Sequence, residues 1–191
     1  MISRPKLTEI GALIGVSAAI SWMTQSIPSR RDVIADPCIV ATLATAAFVA
    51  FLWVSEVWGH RTIRAELLLL AAFLCAMPIV YVMRYLVAAN ATTTNSWLWL
   101  ELAGIPIFAT LAVLGVKKSP WFLVMGIVAH GLGWDSWHYR NSAYVPKWYS
   151  IGCLLVDISI GAYVAVRIPV YREARSRSAS LNGRQKPASG L

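Results

Sequence analysis

The chain has 191 residues, of which 58% are hydrophobic and 14% charged, and its net charge is +8 from 17 Lys+Arg against 9 Asp+Glu. Soluble domains carry about 25% charged and 45–50% apolar residues, so this balance argues against an ordinary water-soluble domain. The basic residues lie between apolar blocks and near the C-terminus, a pattern that suits anionic lipid headgroups rather than nucleic acid.

In chain order, six apolar blocks approach the roughly 20 residues needed to cross about 30 Å of hydrocarbon. They predict helices over Leu7–Ile27, Cys38–Trp58, Glu66–Ala89, Ser96–Val116, Pro120–His138 and Trp148–Ile168. The first starts after Met1–Lys6 and lacks a small-residue cleavage site, so it reads as a membrane helix rather than a cleaved signal. Pro78 and Pro106 fall inside the third and fourth blocks, where each removes a backbone donor. The fifth block is interrupted by Gly126, Gly131, Gly133 and Asp135, which predicts a short or broken helix. The resulting fold class is all-α, a transmembrane bundle of six helices spanning residues 1–170. A basic tail over residues 171–191, rich in Arg, Ser, Gly and Pro, is expected to be disordered.

Lys and Arg counts in alternate loops set the orientation. One side holds Arg4, Lys6, Arg61, Arg64, Lys117, Lys118 and six more from Arg167 onward; the other holds Arg30, Arg31, Arg140 and Lys147. This bias places both termini in the cytoplasm and the protein in a bacterial-type inner (plasma) membrane. Trp97, Trp99, Trp134, Trp137 and Trp148 form an aromatic belt on the outer side, facing Trp58 and Trp121 on the inner side.

The three cysteines, Cys38, Cys75 and Cys153, have no metal-binding spacing and read as small apolar residues. Asn90-Ala-Thr92 matches a glycosylation sequon, a short pattern that arises readily by chance. The chain has no phosphate-binding glycine loop, no Gly-x-Ser-x-Gly elbow and no His-Glu-x-x-His.

Ionisable groups inside a bilayer are costly and mark functional sites. Arg84, Glu101, His130, Asp135, His138 and Asp157 all fall in the outer half of the expected bundle. Glu56 and Glu66 lie at the cytoplasmic end, where water is expected to reach them. The densest constellation is His130-Gly-Leu-Gly-Trp-Asp135-Ser-Trp-His138. On an α-helix Asp135 and His138 are i and i+3 neighbours, whereas on an ideal helix His130 and His138 are too far apart for one metal unless the two glycines bend the segment or a second metal or a substrate lies between. His and carboxylate together suit zinc, iron or manganese. The candidate metal ligands are therefore His130, Asp135, His138 and Asp157, with Asp135, His138 and Asp157 as candidate catalytic groups. Glu101 is a further donor for such a site, and Arg84 with Glu101 forms an expected supporting pair. The same residues also suit a structural ion-pair cluster or a proton relay. The loop Tyr139–Lys147 carries Arg140, Tyr144 and Lys147 and would roof the cluster.

The C-terminal third resembles a family of small bacterial multi-pass membrane proteins to which no activity is assigned. The pattern is a histidine, Trp-Asp, a second histidine, a Pro-containing loop, Gly-Cys and an aspartate. Here it reads His130, Trp134-Asp135, His138, Val145-Pro146, Gly152-Cys153 and Asp157. Two departures are a longer His130–Trp134 spacing and Tyr139 in place of a second adjacent histidine. The resemblance implies that these polar residues share one site and implies no reaction. A looser likeness to membrane-embedded metal hydrolases of the ceramidase type rests on His and Asp in helices alone. The functional expectation is a membrane hydrolase or oxidoreductase acting on a lipid-like substrate. The alternatives are a small transporter or proton-relay protein, and a structural or assembly subunit of a membrane complex. The expected partners are the lipid bilayer and a lipid-like small molecule, with no nucleic acid.

Overall fold

The structure is a computed structural model that describes residues 7–25, 36–58, 62–88 and 96–184. Among these residues it is all-helical: α1 Leu7–Gln25, α2 Pro37–Trp58, α3 Ile63–Ala88, α4 Ser96–Lys117, α5 Trp121–Ala129, a π-helical turn His130–Asp135, α6 Ser136–Asn141 and α7 Lys147–Arg184. The segment from α5 through α6 is one interrupted rod. Four stretches are long and apolar enough to cross a bilayer: Pro37–Val54, Ile63–Ala88, Trp97–Lys117 and Lys147–Ser176.

These helices form because each contains a long run of apolar residues, which in α3, α4 and α7 continues through an internal proline (Pro78, Pro106 and Pro169), and their outward faces stay apolar. Phe51, Ile79, Met83, Leu86, Ile107, Val113 and Met125 are all exposed. Apolar surface on that scale marks a lipid or protein interface rather than a wetted face. The buried side, by contrast, is knit by Leu70, Leu74, Leu123, Ile127, Ile160 and Val164. α3 packs chiefly on α4, and α1 on α7. Close approach depends on glycine at several crossings. A Cβ on Gly152 of α7 would lie 2.1 Å from Met23 Cγ of α1, and one on Gly126 of α5 would lie 2.6 Å from Leu74 Cδ2 of α3.

Three expectations are corrected. The tail is expected to be disordered from Tyr171, but α7 continues to Arg184. Tyr171 is buried and donates to Glu66 Oε1 at 2.7 Å, while Arg175 donates to the α4 C-terminal carbonyls of Lys118 (2.6 Å) and Val116 (2.9 Å). A cation on those carbonyls complements the negative end of the helix. Residues 185–191 lie outside the described residues.

Glu66 is expected to be reached by water, yet it is 1% exposed. It accepts from Tyr163 Oη at 2.7 Å and Arg167 Nη2 at 2.9 Å, and Arg167 Nη1 donates to the buried Glu9 at 3.2 Å. Charge pairing across α1, α3 and α7 takes the place of solvation. The Glu56 side chain, His60, Asn90 and Thr92 lie outside the described residues.

Finally, the expected Arg84–Glu101 pair does not form. Arg84 Nη1 meets Asp36 Oδ2 at 3.4 Å, and Glu101 is engaged elsewhere. The rotation of α3 about its own axis, which spacing alone does not give, turns Arg84 toward α2. Cys38, Cys75 and Cys153 are all free thiols.

Candidate metal centre

The polar residues of the fifth rod are arranged by a local change in helix winding. Ser136 N–H bonds to Gly131 C=O, five residues back. In an α-helix, residues five apart are separated by about 1.4 turns and point to different sides. An i→i+5 turn widens the helix by about one residue and brings them together. His130 and Asp135, five apart, thereby face the same neighbour, Asp157 on α7. His130 Nδ1 lies 2.8 Å from Asp157 Oδ2 and 3.4 Å from Asp135 Oδ1. One ligand atom from each of these three residues lies within 4.8 Å of the others. All three are buried, at 1% exposure or less.

Gly131 makes this approach possible. A Cβ at that position would lie 2.9 Å from Asp157 Cβ. Gly131→Ala is therefore expected to push α7 away and open the His130–Asp157 contact. The stability cost should be about 1–3 kcal/mol, as for overpacked cores, and is measured as a lowered thermal midpoint in mild detergent. Gly133, which has open space around it, should accept alanine at little cost.

The arrangement has two charge features. With both carboxylates ionised and histidine neutral, the cluster carries −2 in a buried setting, which demands compensation. Two polar atoms, His130 Nε2 and Asp135 Oδ2, are buried without a hydrogen-bond partner among the described residues. Tyr81 Oη donates to Asp135 Oδ1 at 2.5 Å and fixes that carboxylate from α3. Metal–ligand bonds of about 2.0–2.2 Å give ligand–ligand edges of roughly 3.0–3.4 Å. The 3.4 Å His130–Asp135 edge matches that size, while the 2.8 Å His130–Asp157 edge is a hydrogen-bond length that a cation would widen slightly. One imidazole and two carboxylates form a donor set for zinc, iron or manganese.

His138 does not join this centre, contrary to the expectation that placed it among the ligands and beside Asp135. After the π turn it faces α4 instead. His138 Nδ1 is 2.8 Å from the Trp134 carbonyl, and Nε2 is 2.6 Å from Glu101 Oε1. Glu101 also accepts from Tyr144 Oη and, at 3.3 Å, from Trp134 Nε1. A carbonyl only accepts, so Nδ1 must carry a proton. The short Nε2–Oε1 contact then holds a second proton between imidazole and carboxylate. The group is a fully satisfied, neutral pair. Burial and the Glu101 carboxylate raise the pKa of the Tyr144 hydroxyl, which keeps it a donor.

The two polar groups touch through Tyr81, whose ring stacks on His138 with centroids 4.1 Å apart while its hydroxyl serves Asp135. Gly104 of α4 leaves room for this junction, since a Cβ there would meet Trp134 at 2.9 Å. Tyr81 was not among the residues singled out by the sequence. A tyrosine in an apolar helix with a hydroxyl to satisfy was the signal that could have marked it.

Beside the three-residue cluster is a cavity of about 300 Å³ between α2, α3 and α7. Its walls are apolar, including Phe48, Leu69, Phe73 and Val156, and its polar wall is Tyr81, His130, Tyr149, Cys153 and Asp157. No protein-family model, curated protein or solved structure matches the chain.

Proposed function

We propose that this is a multi-pass membrane protein whose His130, Asp135 and Asp157 hold one divalent cation beside an apolar cavity, and that it acts on a lipid-like substrate. The observation that carries this reading is the buried triangle of one histidine and two aspartates from two helices, in which Asp135 Oδ2 lacks a partner among the described residues. Two carboxylates and a divalent cation sum to zero, which removes the cost of the buried charge. A cation held there supplies Lewis-acid chemistry to a bound carbonyl or water; hydrolysis or oxidation is the reaction class. Tyr81 orients Asp135, and the Gly131 contact holds Asp157 against His130.

Six membrane crossings with both termini in the cytoplasm complete the reading. Support comes from α1 and the α5–α6 rod packing beside the four long apolar helices, and from the loop-by-loop Lys and Arg bias. Residues 1–170 make the membrane domain, and the basic segment beyond it lies on the cytoplasmic side. A water path through the bundle receives no support. Between Asp157 and the Glu66–Arg167 network lie Leu70, Leu74, Ile127, Ile160 and Val164, all buried.

Elemental analysis of the protein purified in mild detergent tests the proposal. One equivalent of zinc, iron or manganese is expected, falling at least tenfold in occupancy in Asp157→Ala. Metal-free wild type after incubation with each cation would refute it.

A further inference from the structure

We infer that the cavity between α2, α3 and α7 binds a single-chain phospholipid, with its phosphate on Arg84, its acyl linkage at His130 and its chain running toward Leu69. This deepens the proposed function by naming the substrate class of the same site. The chain wall is apolar and long. Along α3 the lining residues run from Leu69 to Tyr81, about 18 Å at 1.5 Å per residue. A volume of about 300 Å³ is at the small end for ligand sites and suits one acyl chain rather than two. Ala44, Ala72 and Ala76 line the cavity yet are exposed, so it opens sideways between α2 and α3, toward the surface on which a lipid arrives.

The polar end has two separate recognition points. His130 lines the cavity and its Nε2 is buried without a partner among the described residues. Arg84 lies outside the cavity lining, one helical turn beyond the lining residue Val80 on α3, and pairs with Asp36 just before α2. Arginine has five donors, yet Arg84 makes one ion-pair contact, at 3.4 Å, and its buried Nε has no partner among the described residues. A guanidinium so placed complements an anion, phosphate above all. Arg84 is three residues past Tyr81, a rise of about 4.5 Å. The ligand therefore needs an anion and a second polar linkage at different depths. A fatty acid has one polar group and satisfies only one point; a monoacyl glycerophosphate has both.

Binding is tested with full-length protein in nanodiscs of neutral diacyl lipid, titrated with myristoyl lysophosphatidylglycerol, monomyristoylglycerol and myristate. The lysophospholipid is expected to bind at least tenfold more tightly than either comparator. Arg84→Gln should weaken it about tenfold and leave monomyristoylglycerol unchanged, while Arg84→Lys restores part of the loss. Ala76→Phe, and independently Ala44→Leu, should block all three by filling the cavity. Equal binding of the three ligands, or indifference to Arg84→Gln, would overturn the headgroup assignment. Indifference to both cavity variants would overturn the site. Each titration is run on metal-loaded and chelator-stripped protein. Lipid binding without any metal uptake defeats the metal reading alone, and metal uptake without lipid binding defeats this inference alone.

Discussion

Asp135→Asn is expected to raise the thermal midpoint of chelator-treated protein and to lower that of metal-saturated protein relative to wild type. The opposite signs follow from the charge in the triangle. Without a cation, Asp135 and Asp157 face one histidine inside a buried pocket, and the carboxylates repel. The asparagine removes one charge, and its carbonyl oxygen still accepts from Tyr81 Oη. A gain of about 1 kcal/mol corresponds to about 2–4 °C for a chain of this size. With a cation at a hundredfold over its dissociation constant, wild type gains about 2.7 kcal/mol. The variant, having lost an anionic ligand, gains almost none of it. A purely structural ion-pair cluster gives a different result: breaking a buried pair costs about 3–5 kcal/mol and metal changes nothing. A thermal melt of both proteins with and without cation separates the two.

Glu101→Ala is expected to cost the most stability of any single change discussed. Glu101 is fully buried and receives hydrogen bonds from Tyr144 Oη, His138 Nε2 and Trp134 Nε1. Its loss strands three donors, each worth about 1–3 kcal/mol unsatisfied, and leaves His138 without its countercharge. The sum approaches the 5–15 kcal/mol that keeps a domain folded, so the variant should fail to accumulate in the membrane. Glu101→Gln should lose less, because a neutral His138 can accept from the amide. The folded fraction of Glu101→Gln, read by size-exclusion profile, should keep its metal, since Glu101 belongs to the neighbouring group. Loss of metal in well-folded Glu101→Gln would show that the two groups are one site.

Much of the helical layout was legible in the sequence because lipid leaves a chain few options: apolar blocks of about 20 residues must be helices. α2 begins at Pro37 against the expected Cys38, and α4 begins at the expected Ser96. The same logic marked His130, Asp135 and Asp157, since charge in an apolar block needs a partner. Their convergence was harder to read. It depends on a π-helical turn, hinted at only by Gly131 and Gly133, which shifts every later residue of that rod. That shift sends His138 to Glu101 instead of to Asp135. Arg84 and Asp36 met for a similar reason: spacing gives the face of one helix, not its rotation against the next. The Glu9–Arg167 bond joins residues 158 apart, and no local pattern relates them. The helical extension beyond Tyr171 was obscured because composition reports average polarity, while Tyr171 and Arg175 each find one specific anchor on α3 or α4.

The most direct measurement is anomalous scattering from crystals of metal-loaded protein, collected on either side of the metal's absorption edge. One peak bonded to His130, Asp135 and Asp157, with nitrogen and oxygen ligands alone, is the predicted result. A saturated protein with no peak inside that triangle, or with its metal on Cys153 or His138, would contradict the account.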